Sequence, residues 1–327
     1  MAPNSNSSTL ALTQIALVGA IGHRETSAWY QDVLGFADAG STGFGGPDIA
    51  EVQGIDAPSV RLEVSWVVDR NDFFQLELFE YMEPESRPRR PDQRPSDVGY
   101  TMVTLQVPDF DATLVRLAGH GAEPLTSPLG PAGDRRVCIH DPSGNLLEIV
   151  ETEIRPARTQ PSRRPEVGVA VCSVRVSVPD LSRARRFFVD GLGLVPANIS
   201  VHTPEHEALW GLDGADTTAL VLTAGDIYIE LVEYRDPPPR PWPDGYQLSD
   251  LGIMNIALGS RSRQPYQQAV ARAVADGHTA HREHSTSPHH SVTYLSSEDG
   301  FSVEAMFIAR EAHHDFGYVR LSPPSHA

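Results

Sequence analysis

Cysteine is nearly absent from the 327 residues: only Cys138 and Cys172 are present, so no disulfide framework organises the chain. Clustered basic residues are also scarce. The formal net charge is -17, which argues against a nucleic-acid partner, since a phosphate backbone needs gathered Lys and Arg. No apolar run reaches the length that spans a bilayer, and residues 1–8 lack a charged stretch followed by an apolar one. A soluble, reducing, cytoplasmic setting is the expectation. There is no phosphate-cradling glycine loop, serine-nucleophile elbow or paired CxxC, so no nucleotide cofactor is expected.

What is present is repetition. Asp141-Pro142-Ser143-Gly144-Asn145-Leu146-Leu147-Glu148-Ile149-Val150 reads as a tight turn feeding a strand. Glu148 stands among apolar neighbours, where a carboxylate is costly unless something pairs with it. The same grammar returns at 298–307, with Glu304 as the acid. Residues 28–36 match 186–194, and 73–81 match 226–234, placing Glu77 and Glu230 alike. The spacing predicts strands at 12–19, 60–68, 73–81, 100–107, 136–140, 146–152, 171–178, 219–223, 227–234, 251–258, 292–295 and 301–308. Helices are expected at 26–34, 110–120, 181–192 and 264–276, each followed by a glycine stop. The unit is strand, helix, then two or three strands, four times over.

Residues 1–10 read as a disordered lead-in and 311–327 as an irregular tail. The proline-containing stretch 155–167 is the best domain boundary, dividing 11–154 from 168–310; 82–98 and 235–250 read as further proline-rich connectors.

The pattern resembles the vicinal oxygen chelate superfamily, which includes glyoxalases, extradiol ring-cleaving dioxygenases, epimerases and drug-sequestering proteins. The resemblance covers roughly 11–310 and rests on Ser173-Val174-Arg175-Val176-Ser177-Val178-Pro179-Asp180-Leu181, Phe187-Phe188, Gly191-Leu192-Gly193 and the fourfold order of units. It implies an α+β fold of four βαβββ modules paired into two half-open β-barrels with helices outside. It also implies a divalent metal (Fe, Mn, Ni, Mg or Zn) and a small-molecule substrate, in a monomer or homodimer.

The family's ligand places are the first and last strands of each unit. Carried over, they give Gln14 and Glu77, Met102 and Glu148, Ser173 and Glu230, and Asn255 and Glu304. The metal candidates are Gln14, Glu77, Glu148, Glu230 and Glu304. No first-strand place holds histidine, so the two-His-one-carboxylate set of iron enzymes is lacking, and the thioether of Met102 is a poor ligand for a hard ion. Adjacent pairing of units, within each half, is favoured by the tandem pattern. Crosswise pairing would instead bring Gln14 and Glu77 to Asn255 and Glu304, an all-oxygen set suited to Mg or Mn.

Similarity to the extradiol branch marks Glu304, Tyr294, His284 and His289 as catalytic candidates. Substrate-contacting candidates are His140, Asn255, Ser173 and the loop residue Trp210. The implied function is a dioxygenase, lyase or isomerase acting on a small oxygenated, aromatic or polyketide-like molecule. The alternative is a metal-free binding or drug-sequestering protein of the same fold.

Overall fold

A computed structural model describes residues 10–154 and 164–321. The expected lead-in apart from residue 10, residues 155–163 of the boundary, and residues 322–327 of the tail lie outside these.

Unit one comprises β1 (Ala11–Val18), α1 (His23–Trp29), β2 (Ala37–Gly46), α2 (Pro47–Gln53), β3 (Val60–Val68) and β4 (Gln75–Glu83). Unit two comprises β5 (Gly99–Gln106), α3 (Phe110–Gly119), β6 (Arg136–His140) and β7 (Leu146–Val150). Unit three holds β8 (Ala170–Val178), α4 (Leu181–Arg185), β9 (Val195–Pro196), β10 (Asp216–Ala224) and β11 (Ile227–Asp236). Unit four holds β12 (Gly252–Ser260), α5 (Arg263–Ala275), β13 (Thr279–Ala280), β14 (His284–Ser287), β15 (His290–Ser296) and β16 (Ser302–Ile308). The helices expected at 26–34 and 181–192 start as α-helix and finish in wider π turns, Tyr30–Leu34 and Arg186–Gly191. β2, α2 and a 3-10 helix at Pro204–Trp210 were not foreseen, because a glycine-rich stretch and two short segments carry little periodicity.

Local chemistry fixes the unit ends. Asp109 and Asp180 cap α3 and α4, accepting hydrogen bonds from the Ala112 and Arg183 amides. The turn before β7 forms around Asp141, whose Oδ1 accepts from the Ser143 and Asn145 amides while Oδ2 accepts from the Tyr30 hydroxyl. Gly144 sits there at φ 78°, a conformation that favours glycine.

All strands join one sheet that curls into two barrels. Within a unit the first and last strands lie side by side and parallel: β1 with β4, β5 with β7, β8 with β11, β12 with β16. Between units the pairing is crosswise. β1 runs antiparallel to β12, and β5 antiparallel to β8, which corrects the preference for adjacent pairing. Units one and four therefore build one barrel (barrel A), and units two and three the other (barrel B). β12 and β5 meet at a single residue pair, Ile253 and Tyr100.

The connectors touch one another across the two halves. Arg87, between units one and two, bonds Asp250, between units three and four, with Nε–Oδ1 at 2.8 Å and Nη2–Oδ2 at 2.6 Å. Arg240 returns the contact to Asp97 at 2.9 and 2.6 Å. These bidentate pairs are reciprocal and lock the two halves in mutual embrace. Helices pack outside: Tyr30, Val33, Phe110, Leu117, Phe187, Phe188 and Ala269 join one core with the outward residues of β1, β5, β8 and β12. The opposite strand faces are left to line the barrels.

Candidate functional site

Cross-strand register makes the barrels internally symmetric. In barrel A, Ala16 stands opposite Asn255 and beside Glu77, while Ala257 stands opposite Gln14 and beside Glu304. Residues directly opposite share a face, so Gln14, Glu77, Asn255 and Glu304 converge on one interior. In barrel B the same places read Thr104 opposite Ser173 and beside Glu148, and Arg175 opposite Met102 and beside Glu230. One alanine of the first barrel has become an arginine in the second. That exchange separates their chemistry.

Barrel B is filled by its own cations. The Arg175 guanidinium reaches Glu230 at 3.1 Å, the Tyr234 hydroxyl at 3.1 Å, and also Glu207. His202 bridges the two strand carboxylates, Nε2 to Glu148 at 2.9 Å and Nδ1 to Glu230 at 2.6 Å. Arg136 adds a contact to Glu148 at 3.2 Å. Burial works against ionisation of Glu148, but the charge and hydrogen bond of His202, then Arg136 and Thr104, prevail and hold it at about 2. Glu230 is likewise held at about 2: burial opposes ionisation, and His202 and Arg175 outweigh it. Burial alone would lower His202, yet Glu230 and Glu148 raise it to about 9. Trp210 stands edge-on to His202, lies against the Arg175 guanidinium, and donates to Glu207. Ser173 is buried here with an unpartnered hydroxyl.

Barrel A is different in kind. A cavity of about 90 Å³ is lined by Gln14, Glu77, Glu304, Tyr294 and His284, with Phe44, Trp66, Phe79, Met306 and Phe316 among its apolar walls. Ile49 and Val52 of α2 close one side. Glu77 is 8% exposed and accepts from the Trp66 indole at 2.8 Å and from Gln14. Glu304 bonds Tyr294, its cross-strand partner. Neither carboxylate has an arginine, lysine or histidine partner among the described ion pairs. Burial, against the Trp66 and Gln14 hydrogen bonds, holds Glu77 above the ordinary carboxylate range; burial and then the charge of Glu77 do the same to Glu304. Asn255 is buried with an unpartnered Nδ2.

The sequence-derived candidates thus divide. Gln14, Glu77, Asn255, Glu304, Tyr294 and His284 come together in barrel A. Glu148, Glu230, Ser173 and Trp210 come together in barrel B, where both glutamates are paired with protein cations rather than open to a ligand. His289 is exposed outside the cavity, and its neighbour His290 lines it instead. His140 is exposed at the end of β6, beside Arg89 and Tyr100. Sequence reasoning missed Trp66, Arg175, His202, Glu207 and Tyr318. Only Arg175 carried a signal, as the one charge in an otherwise small and apolar strand.

Among the described residues no three His, Cys, Asp or Glu side chains converge as a metal centre. Barrel A offers two carboxylates with two amide side chains beside them. That chemistry fits a hard divalent cation, which is commonly held by one or two carboxylates with water or substrate oxygens completing its shell. It does not fit iron of the two-histidine type.

Residues 20–149 match the family model Glyoxalase/Bleomycin resistance protein/Dioxygenase superfamily. Among solved structures, a point mutant of glyoxalase I from Zea mays aligns over 91% of this chain and 92% of its own, at 14% identity and TM-score 0.60. A proposed dioxygenase of Bacillus subtilis aligns over 97% of this chain and 92% of its own, at 15% identity and TM-score 0.61. At such identity these likenesses speak to the fold alone. No curated protein matches the chain. Residues 20–149 thus resemble the Glyoxalase/Bleomycin resistance protein/Dioxygenase superfamily, and the fold of the whole chain is similar to that of these solved structures.

Proposed function

We propose that this chain is an enzyme whose active site is barrel A, and that barrel B is a structural copy. The observation that carries the reading is the buried Glu77–Glu304 pair, which faces a cavity without a protein cation. The substrate is a small molecule with an apolar body and two neighbouring oxygens. The reaction is a proton-transfer step of the isomerase or lyase type, since His284 and His290 line the cavity without forming, among the described residues, the two-histidine, one-carboxylate set of oxygen-activating iron.

Glu77 and Glu304 are the residues that would hold a divalent cation such as Mg or Mn, with Gln14 and Asn255 beside them. Bound there, the cation would polarise the substrate oxygens as a Lewis acid. Trp66 and Gln14 fix the Glu77 carboxylate. Glu304, in its ionised form, would take a proton from the carbon next to a carbonyl and return it at the neighbouring carbon, and Tyr294 holds its carboxylate in place. The aromatic and aliphatic walls bind the substrate body and exclude water.

The test is exchange of carbon-bound protons with solvent deuterium in a panel of 2-hydroxy and 2-oxo carbonyl compounds, followed by NMR with Mn added. Wild type should exchange at least one member, and Glu304→Gln should not. Equal exchange in both proteins refutes the assignment. A second reading, stoichiometric capture without turnover, is supported by the aromatic walls. It predicts tight binding of a panel member with no exchange.

A further inference from the structure

The segment after β16 does not trail away from the barrel. Within residues 310–321, Phe316, Gly317 and Tyr318 each touch a different part of the barrel A site. Phe316 lines the cavity and stacks on His290 with ring centroids 4.1 Å apart. Gly317 adopts φ 70° directly against Trp66, and a Cβ there would overlap the indole ring. Tyr318 is 2% exposed, and its hydroxyl donates to Gln14 Oε1 at 2.6 Å. Trp66 and Gln14 are the two side chains that hydrogen-bond Glu77.

The segment is itself anchored. The Leu321 amide donates to the Asp38 carbonyl at 2.8 Å, the Tyr318 carbonyl accepts from Arg164 at 3.0 Å, and Phe73 packs against both His313 and Tyr318. Its position is therefore held by unit one and by the stretch joining the halves in addition to its contacts with the cavity residues.

We propose that Tyr318 is a positioning residue of the barrel A site. Its hydroxyl occupies Gln14 Oε1, which turns the Gln14 amide N–H toward Glu77 and fixes the orientation of that carboxylate. An amide has one acceptor end and one donor end. With the acceptor end engaged by Tyr318, Gln14 serves Glu77 as a donor and is not itself a metal ligand. Tyr318 thereby stands two bonds removed from the ligand it orients, the kind of outer partner whose loss weakens metal binding about 10- to 100-fold.

This inference rests on the barrel A reading, and the experiment separates the two. Tyr318→Phe removes one oxygen and keeps the ring. The indole N–H resonances of ¹⁵N-labelled protein are recorded without metal, and Mn affinity is measured by electron paramagnetic resonance. The Trp66 resonance should move in Tyr318→Phe while that of Trp210, in barrel B, stays, and Mn affinity should fall by about tenfold. A folded Tyr318→Phe with an unmoved Trp66 resonance overturns the proposal. Wild type that binds no Mn overturns the metal reading alone, and the indole resonance still decides the role of Tyr318. Should Tyr318→Phe not fold, Gln14→Met breaks the same relay from its other end: a displaced Trp66 resonance supports the relay, and an unmoved one overturns it.

Discussion

Replacing His202 with glutamine removes the cation shared by Glu148 and Glu230 while keeping a hydrogen-bonding side chain of similar reach. The His202 side chain is only 2% exposed, so solvent screening of its two contacts is slight. Its folded pKa is raised from 6.5 to about 9. The stabilisation that accompanies such a shift is fully present below the unfolded value and is lost as pH rises through the folded one. At 1.36 kcal/mol per unit it amounts to roughly 3 kcal/mol. Wild type and His202→Gln should be unfolded in urea at intervals from pH 5.5 to 10. Wild type should be the more stable by at least ~3 kcal/mol at the acid end of that range, in keeping with the cost of breaking a buried ion pair. The difference should shrink steeply between pH 6.5 and 9. Taking the difference cancels the general effect of the acidic surface, which both proteins share. A gap that stays constant across the range would refute the bridging role of His202.

Further outcomes follow from the same contrast between the barrels. Arg175→Met strands Glu230 and Glu207 inside barrel B and should cost about 3–5 kcal/mol in urea unfolding. In barrel A the sign reverses. A carboxyl whose folded pKa is raised loses stability as pH climbs above its unfolded value, so Glu304→Gln without metal should unfold at higher temperature than wild type at pH 8 and equally at pH 4. Wild type with Mn at about 100 times its dissociation constant should gain about 2.7 kcal/mol, and Glu77→Gln should gain much less; equal gains, read by calorimetry, would count against the barrel A site. His289→Ala should leave Mn affinity unchanged, because that side chain is exposed outside the cavity, whereas His284→Ala should alter the binding of a cavity ligand.

The turn-plus-acid motif and the fourfold order of units were legible because each is written in contiguous residues. Asp141, Gly144 and the alternation around Glu148 specify a local structure that needs no distant partner. Pairing was not legible, since first strands such as β1 and β8 have one edge taken by the last strand of their own unit and the other open to an antiparallel neighbour from any unit. What selects β12 for β1 includes Arg87–Asp250 and Arg240–Asp97, pairs separated by more than a hundred residues inside connectors without periodicity. The fate of the four glutamates was hidden for a related reason. Glu148 and Glu77 sit in equivalent strands, and their difference arises from His202, delivered by a loop of another unit, and from Arg136 of the neighbouring strand β6. Tyr318 was beyond reach because, past a single 3-10 turn at Arg310–Ala312, its segment has neither helix nor strand to announce it.

Crosswise pairing has a consequence for the order in which the protein is made. Units two and three are neighbours in the chain, so barrel B can close as soon as residue 236 has left the ribosome. Barrel A must wait for β12, β16 and finally Tyr318, and its first strand meets a partner more than two hundred residues downstream. Contacts of such long separation form slowly. The ion-paired barrel is therefore the early scaffold, nested within a late one, and the cavity is the last feature to appear. Pulsed hydrogen exchange during refolding should protect β5 and β8 before β1 and β12. A chain that ends short of Tyr318 keeps the scaffold and forgoes a finished cavity.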